Sequence, residues 1–357
     1  MSLVVTPLEL PERWDEPGPR GEAFRAFHAH AERSNAMRFG PDVVARSPEE
    51  RLASLQPSLA EACRAFVAHR DGQLVGALKV YTPLLESTDV AEIVISAEPD
   101  LPDAEVLDLV EELTTYGEQV AAGLGRSDFR GGSLAAASGA VTAATGFGGV
   151  DPDHPEVAPL VARGYVLEQV YRISMVDLAA LPDLDERLAA ARAGAPGYDV
   201  VAWAGETPAP HRAGMCRLKE QMAADAPGGG VLFEPEVWDD ARLADFEASA
   251  ASGGRTLRTV AAVERATGEL VGFTSAFVGT STVVNQHDTV VAGAHRGHGL
   301  GALMKLANLA ELREHHPDHT RVVTWNAEEN RPMLAVNEAT GFVTVVHDGV
   351  WKRRSVS

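Results

Sequence analysis

Residues 289–312, TVVAGAHRGHGLGALMKLANLAEL, constrain the fold more than any other stretch. Thr289, Val290 and Val291 form a short β-branched run, which predicts a strand. A turn follows, and Arg296-Gly297-His298-Gly299-Leu300-Gly301 then opens a segment rich in Ala, Leu and Met, which predicts a helix. Alternate glycines let the main chain turn tightly and gather N–H groups at a helix N-terminus, where the dipole favours negative charge. The predicted product is an anion cradle between a strand and a helix.

Three nucleotide chemistries use such a cradle. A Walker P-loop needs Gly-Lys-Ser/Thr at its end, whereas Ala302 and Leu303 follow Gly301 here. A dinucleotide-binding Rossmann unit calls for an acidic residue at the end of the next strand, and the predicted strand 320–325 runs into Asn326. The third pattern is R-x-x-G-x-G, filled by Arg296, Gly299 and Gly301. Downstream, Asn330, Val336, Gly341 and Phe342 fall on the spacing N-x-x-A-x-x-L-Y-x-x-x-G-F, with Met333 in place of the Ala and Asn337 in place of the Tyr. On these two motifs residues 200–354 resemble the GNAT superfamily of acyl-CoA N-acyltransferases.

That resemblance implies transfer of an acyl group from acyl-CoA, acetyl-CoA first among them, to an amine that attacks the thioester directly. It implies that the main chain of Arg296, Gly297, His298, Gly299, Leu300 and Gly301 holds the pyrophosphate, with Arg296 adding charge. Thr289, Val290 and Val291 then pair with the pantetheine amides, and Asn326, Asn330 and Met333 contact the cofactor. Asn330 is equally suited to cap the helix that it opens. Asn337 stands where many members carry a tyrosine that protonates the departing thiolate. An amide has no such proton to give, so water or Tyr198 must donate one, or the thiolate leaves unaided at its pKa of about 8.5.

The candidates for the base are His287, Asp288 and Glu234, with Glu236 beside the last. Strand alternation predicts that His287 and Asp288 point to opposite faces, so that only one of them meets the cleft. A terminal carboxylate folded back from residues 354–357 is another arrangement known in the superfamily. Tandem members include the mycothiol synthase and aminoglycoside-modifying types, which allows a cationic or amino-sugar acceptor. The alternative to an enzyme is a non-catalytic CoA-binding sensor or scaffold, in which Asn337 marks lost catalysis.

The chain of 357 residues suits two domains, since single cores seldom exceed about 250 residues. Its earlier half repeats the order of the later one. A strand at 3–8 and helices at 21–35 and from Ser47 lead to a hairpin across Asp71-Gly72, a third strand at 89–96 and a helix at 103–124. A helix at 155–163 and a strand at 166–176 close the copy, and Gly164-Tyr165 answers Gly341-Phe342. The expected architecture is α/β in the α+β sense: two GNAT-like domains, each a mixed, mostly antiparallel sheet flanked by helices. Residues 1–180 form a degenerate copy, 181–197 a linker helix, and 198–357 the acyl-CoA-binding copy. In the first copy Glu98-Pro99-Asp100-Leu101-Pro102-Asp103 stands where the cradle belongs, without a glycine and with acidic groups that repel phosphate. Residues 130–150, rich in Gly, Ala and Ser, predict a flexible surface loop with short strand content, the alternative being a mobile lid over a substrate cleft.

The net charge of −20 argues against a nucleic-acid partner, which needs clustered Lys and Arg. No apolar run reaches the roughly 18 residues of a membrane span, and the N-terminus lacks the pattern of a secretory signal. The two cysteines, Cys63 and Cys216, have neither metal nor redox spacing. The expected protein is cytoplasmic, a monomer or homodimer without a metal, acting on a small amine-bearing molecule.

Overall fold

The computed structural model describes residues 2–41, 43–225, 227–231 and 234–355. In the first half β1 (Val4–Pro7), α1 (Pro19–Phe39) and α2 (Pro48–Ala53) precede the strands β2 (Glu61–Arg70), β3 (Gln73–Pro83) and β4 (Val90–Ala97). Next come α3 (Asp103–Gly123), β5 (Asp128–Ala135), the short pair β6 (Val141–Thr142) and β7 (Gly149–Val150), α4 (Ala158–Ala162) and β8 (Val166–Asp177). Helix α5 (Leu184–Gly194) links the halves. The second half runs β9 (Tyr198–Ala204), α6 (Arg212–Asp225), α7 (Asp240–Ser252), β10 (Thr256–Glu264), β11 (Leu270–Val278) and β12 (Val283–Val291). It ends with α8 (Leu300–His315), β13 (Arg321–Ala327), α9 (Arg331–Ala339) and β14 (Val343–Arg354).

Local chemistry explains the elements that the sequence made plain. Ser47 caps α2 by accepting from the Glu50 N–H at 3.2 Å, with Pro48 in the first turn. Asp71 and Gly72 both take positive φ, 53° and 78°, the pair of left-handed residues that a two-residue hairpin turn requires. Gly164 and Gly341 do the same at the ends of α4 and α9, at 77° and 98°, so each copy turns into its last strand by the same device.

The strands do not form two separate sheets. They build one sheet of twelve, in the order β1-β2-β3-β4-β5-β14-β8-β13-β12-β11-β10-β9. The order reads alike from both ends: four antiparallel strands, a parallel step (β4 to β5, β12 to β13), then the two closing strands at the centre. Those closing strands are exchanged. β8, from the first half, pairs with β13, and β14, from the second, pairs with β5, while β8 and β14 pair with each other.

Helices cover both faces of this sheet. In the second half α8 packs with α5 on one face over Leu303, Met304, Leu309 and Val322, while α6 and α7 pack on the other over Met215, Leu243 and Phe273. The segment at 130–150 contains short strands between its loops. Its first residues belong to β5, which pairs in parallel with β4 on one side and antiparallel with β14 on the other.

Candidate functional site

Strands β12 and β13 are paired only from Val283 to Asn285 and from Arg321 to Val323. Beyond that they diverge and leave a V-shaped gap in the sheet. At its apex Gln286 is buried and pinned. Its Nε2 donates to Thr274 Oγ1 at 2.9 Å and to the Ser275 carbonyl at 2.6 Å, and its Oε1 accepts from Asn308 Nδ2 at 3.2 Å. The gap opens into a cavity of about 800 Å³, within the range of cofactor sites.

The glycine loop forms one end of this cavity. Gly297 and Gly299 sit at φ 82° and 73°, conformations that cost other residues about 1–2 kcal/mol, and Gly299 caps α8. Among the described residues, the main-chain N–H groups of residues 297–302 have no hydrogen-bond partner. A Cβ at Gly297 or Gly299 would meet nothing within 4 Å, so the glycines serve the turn and keep the space before it clear. Unpaired N–H groups gathered at a helix N-terminus are an arrangement suited to an anion. Its counterpart ahead of α3 is closed: Glu98 accepts from His30 Nδ1 at 3.0 Å and pairs with Arg33, and α3 begins behind Pro102. The gap between β4 and β5 holds a cavity of only about 20 Å³.

Of the residues proposed for the cofactor, Thr289, Val290, Val291, Arg296, Gly297, Gly299, Leu300, Gly301, Asn326, Asn330 and Met333 all line the large cavity. His298 does not. Its ring lies 5.7 Å from that of Tyr198, whose hydroxyl is 3.1 Å from His295 Nδ1. Tyr198 therefore stands beside the glycine loop rather than at the apex of the V. Arg296 is engaged by Asp225 at 2.5 Å. Asn330 also caps α9, accepting from the Met333 N–H at 3.3 Å.

Asn337 lies behind the cavity wall. It is buried, and its Nδ2 donates to Asn326 Oδ1 at 2.6 Å, so it holds the Asn326 side chain instead of facing the cavity itself. Glu234 also lies away from the cavity. It accepts from the Ser87 N–H of the first half at 2.7 Å, and its own N–H donates to Ser87 Oγ. Val356 and Ser357, which would carry a terminal carboxylate, lie outside the described residues.

The alternation argument for His287 and Asp288 is overturned. Thr274 pairs with Thr289 and Ala276 with Gln286, so Ser275 alone faces both His287 and Asp288. This β-bulge breaks the two-residue period, and both side chains line the cavity. Asp288 Oδ2 meets Lys219 Nζ at 2.5 Å, and Asp288 Oδ1 lies 3.5 Å from His287 Nε2. Burial pushes the Asp288 carboxyl up, but His287 and Lys219 more than reverse this and hold it below the usual range. Burial lowers the His287 imidazole, aided by Lys219 and Arg255 against Asp288. The ring has 39% exposure, yet it faces the cavities that it lines and stacks on Phe246 at 5.7 Å. It is therefore neutral at pH 7, and Lys219 is the lasting counter-charge to Asp288.

A second cavity of about 280 Å³ adjoins the first, with Met222, His287 and Asp288 lining both. Trp238, Phe246, Glu236 and Asp245 form its walls, and Ser58 and Ala60 reach it from the first half. Lys219 Nζ lies 3.8 Å from the Phe246 ring centroid and 4.9 Å from that of Trp238. The two halves are latched around this cavity. Glu86 pairs with Arg242 at 2.7 Å, and Asp245 accepts from the Leu59 N–H at 3.1 Å.

Sequence reasoning missed Tyr171, Lys219 and Lys305. Tyr171 belongs to the first half, but the strand exchange sets it opposite Ala327 and into the large cavity; burial first, then nearby carboxylates, push its hydroxyl up to about 12. Among the described residues no group of His, Cys, Asp and Glu could hold a metal ion, and no helix is long and apolar enough to cross a membrane.

No protein-family model matches the chain, and no curated protein matches it. Solved structures do. A tandem GNAT protein from the clavulanic acid biosynthesis pathway aligns over 100% of both chains with 25% identity and a TM-score of 0.75. A GCN5-related N-acetyltransferase from Sphaerobacter thermophilus aligns over 99% of this chain and 95% of its own at 14% identity, with a TM-score of 0.62. A glucosamine N-acetyltransferase region in a fungal multi-domain β-N-acetylglucosaminidase aligns over 99% of this chain and 38% of that one, at 11% identity and a TM-score of 0.58. The chain thus has the fold of a tandem GNAT protein, with a glycine loop and a cofactor-sized cavity in its second half. The architecture is that of the GCN5-related N-acetyltransferases.

Proposed function

We propose that the protein transfers an acyl group, acetyl in the first instance, from acyl-CoA to a small amine-bearing molecule in the cytoplasm. The observation that supports this most is the meeting of the two cavities at His287 and Asp288. One has the open cradle and exposed main chain suited to an extended diphosphate cofactor. The other has the size and the carboxylates suited to an amine, cationic ones included.

Bound acetyl-CoA supplies an activated thioester. The chain's part is to orient the amine, keep it deprotonated and exclude water. His287 is the base: neutral at pH 7 and at the junction of the two cavities, its imidazole can accept a proton from the acceptor's ammonium and so free the neutral amine to attack. Asp288, tied to Lys219, fixes that corner of the bulge. Glu236 and Asp245 balance the charge of the entering amine; Glu236 itself is held by Trp238 Nε1 at 2.7 Å. The Tyr171 hydroxyl stays protonated at neutral pH and is a hydrogen-bond donor for the thiolate in place of the missing tyrosine at 337.

The test is release of free thiol from acetyl-CoA across a panel of small amines. Replacement of His287 by Gln is expected to lower kcat about 100-fold or more with CoA affinity unchanged. In the wild type, kcat/KM should fall as the pH drops through the lowered imidazole pKa. A protein that binds CoA but releases no thiol with any amine is a sensor or scaffold instead.

A further inference from the structure

Lys305 lies on α8, 1% exposed, and lines the large cavity. Among the described residues no carboxylate pairs with it, and its recorded neighbour is the Phe342 ring, whose centroid is 5.2 Å from Nζ. The other cations of the site are already neutralised, Arg296 by Asp225 and Lys219 by Asp288. The elements packed on α8 leave it no partner. Asp185 of α5 is taken by Arg313, Arg258 of β10 by Glu311, and Asp288 of β12 by Lys219, with the neutral His287 beside it. Strand β11 carries no charge, and on α9 Arg331 and Glu338 are paired with Glu328 and Arg172.

An unpaired buried ammonium costs several kcal/mol. Here burial alone lowers its pKa to about 7. Gly301 and Ala302 stand one turn earlier on the same helical face, and both are small and line the cavity. A helical lysine leans towards the N-terminus of its helix over those positions, which carries its charge towards the floor beneath the cradle.

We infer that Lys305 is a buried receptor for an anionic group of the bound acyl-CoA, so that binding draws a proton onto the protein. The anion is either a phosphate of the cofactor or a carboxylate at the far end of the acyl group. This rests on the proposed CoA site but not on turnover.

The sign follows from linkage. In the free protein Lys305 is half deprotonated near pH 7, and an arriving anion restores an ordinary lysine pKa near 10.4. The contribution to affinity is full below pH 7 and is lost as the pH rises towards the bound value, by up to about tenfold per unit. Phosphates with a second pKa of about 6 no longer titrate there.

Calorimetric titration of the full-length protein between about pH 7.5 and 9, in two buffers of different ionisation heat, reads both the slope and the proton uptake. The ligands are CoA, acetyl-CoA and succinyl-CoA. Uptake with all three assigns the phosphate, and uptake with succinyl-CoA alone assigns the acyl carboxylate. Lys305→Met should remove the slope and the uptake and weaken binding about tenfold or more at pH 7.5, while melting no lower than wild type. Lys305→Arg, charged throughout, should keep affinity without the slope. Wild-type affinity and uptake in Lys305→Met would overturn the inference and leave the CoA site standing. Failure of the wild type to bind any of the three would overturn the CoA site itself, and this inference with it.

Discussion

Replacing Lys219 by Met isolates the electrostatic keystone of the site. Lys219 and Asp288 have side-chain exposures of 6% and 7% and meet at 2.5 Å. Removing the ammonium leaves a buried carboxylate with only the neutral His287 beside it, and breaking such a pair typically costs about 3–5 kcal/mol. For a chain of 357 residues that lowers Tm by about 4–7 °C. The lost cation–π contacts with Phe246 and Trp238 act in the same direction. The penalty has a pH signature. In the wild type the folded pKa of Asp288 is depressed, so its pair adds stability above the unfolded value of about 3.9. Without Lys219 burial dominates and raises that pKa, so the variant is penalised at high pH and recovers as the pH falls and the carboxyl is protonated. Urea unfolding at pH 8 and pH 5 should therefore show a smaller deficit at pH 5. The double variant Lys219→Met with Asp288→Asn should regain most of the loss. A deficit below about 1 kcal/mol, or one equal at both pH values, would refute this account of the pair.

Two further outcomes follow. Glu86→Gln with Ser87→Ala, which weakens the pair with the nearly buried Arg242 and removes the Ser87 Oγ that accepts from the Glu234 N–H, should raise the acceptor KM several-fold and leave CoA affinity within about twofold. Steady-state kinetics with both substrates check this; equal changes in both constants would count against it. Residues 1–180 expressed alone should be insoluble or dimeric, since without β14 one edge of β5 is unpaired and β8 lacks both its partners; co-expression with residues 181–357 should restore a soluble complex, as size-exclusion chromatography would show.

The parts of this structure that were legible in the sequence are those fixed by neighbours in the chain. Ser47, the Asp71-Gly72 pair and the Arg296-to-Gly301 loop each carry their geometry in a few adjacent residues. Whatever depends on distant pairing was not legible. The strand at 166–176 was identifiable by its apolar residues, but nothing in it announces that its partner is β13. Tyr171 was therefore overlooked when a hydroxyl was sought in the second half alone. The bulge at His287 and Asp288 is likewise a property of two strands together, since only the opposing Thr274-Ser275-Ala276 reveals the extra residue. Residues 131 and 132 gave no strand signal of their own because glycine signals flexibility by composition, and it is the distant pairing with β4 and β14 that makes them a strand.

The interleaved centre of the sheet bears on how such a gene can change. After a duplication, the copy that no longer grips a ligand is ordinarily free to decay or be deleted. Here each copy completes its sheet with its sibling's closing strand, and the first half supplies Tyr171 to the larger chamber and part of the wall of the smaller one. Loss of the first half would thus strip the second of its central strand partners and of part of the wall of both chambers, so the two copies can no longer be lost one at a time.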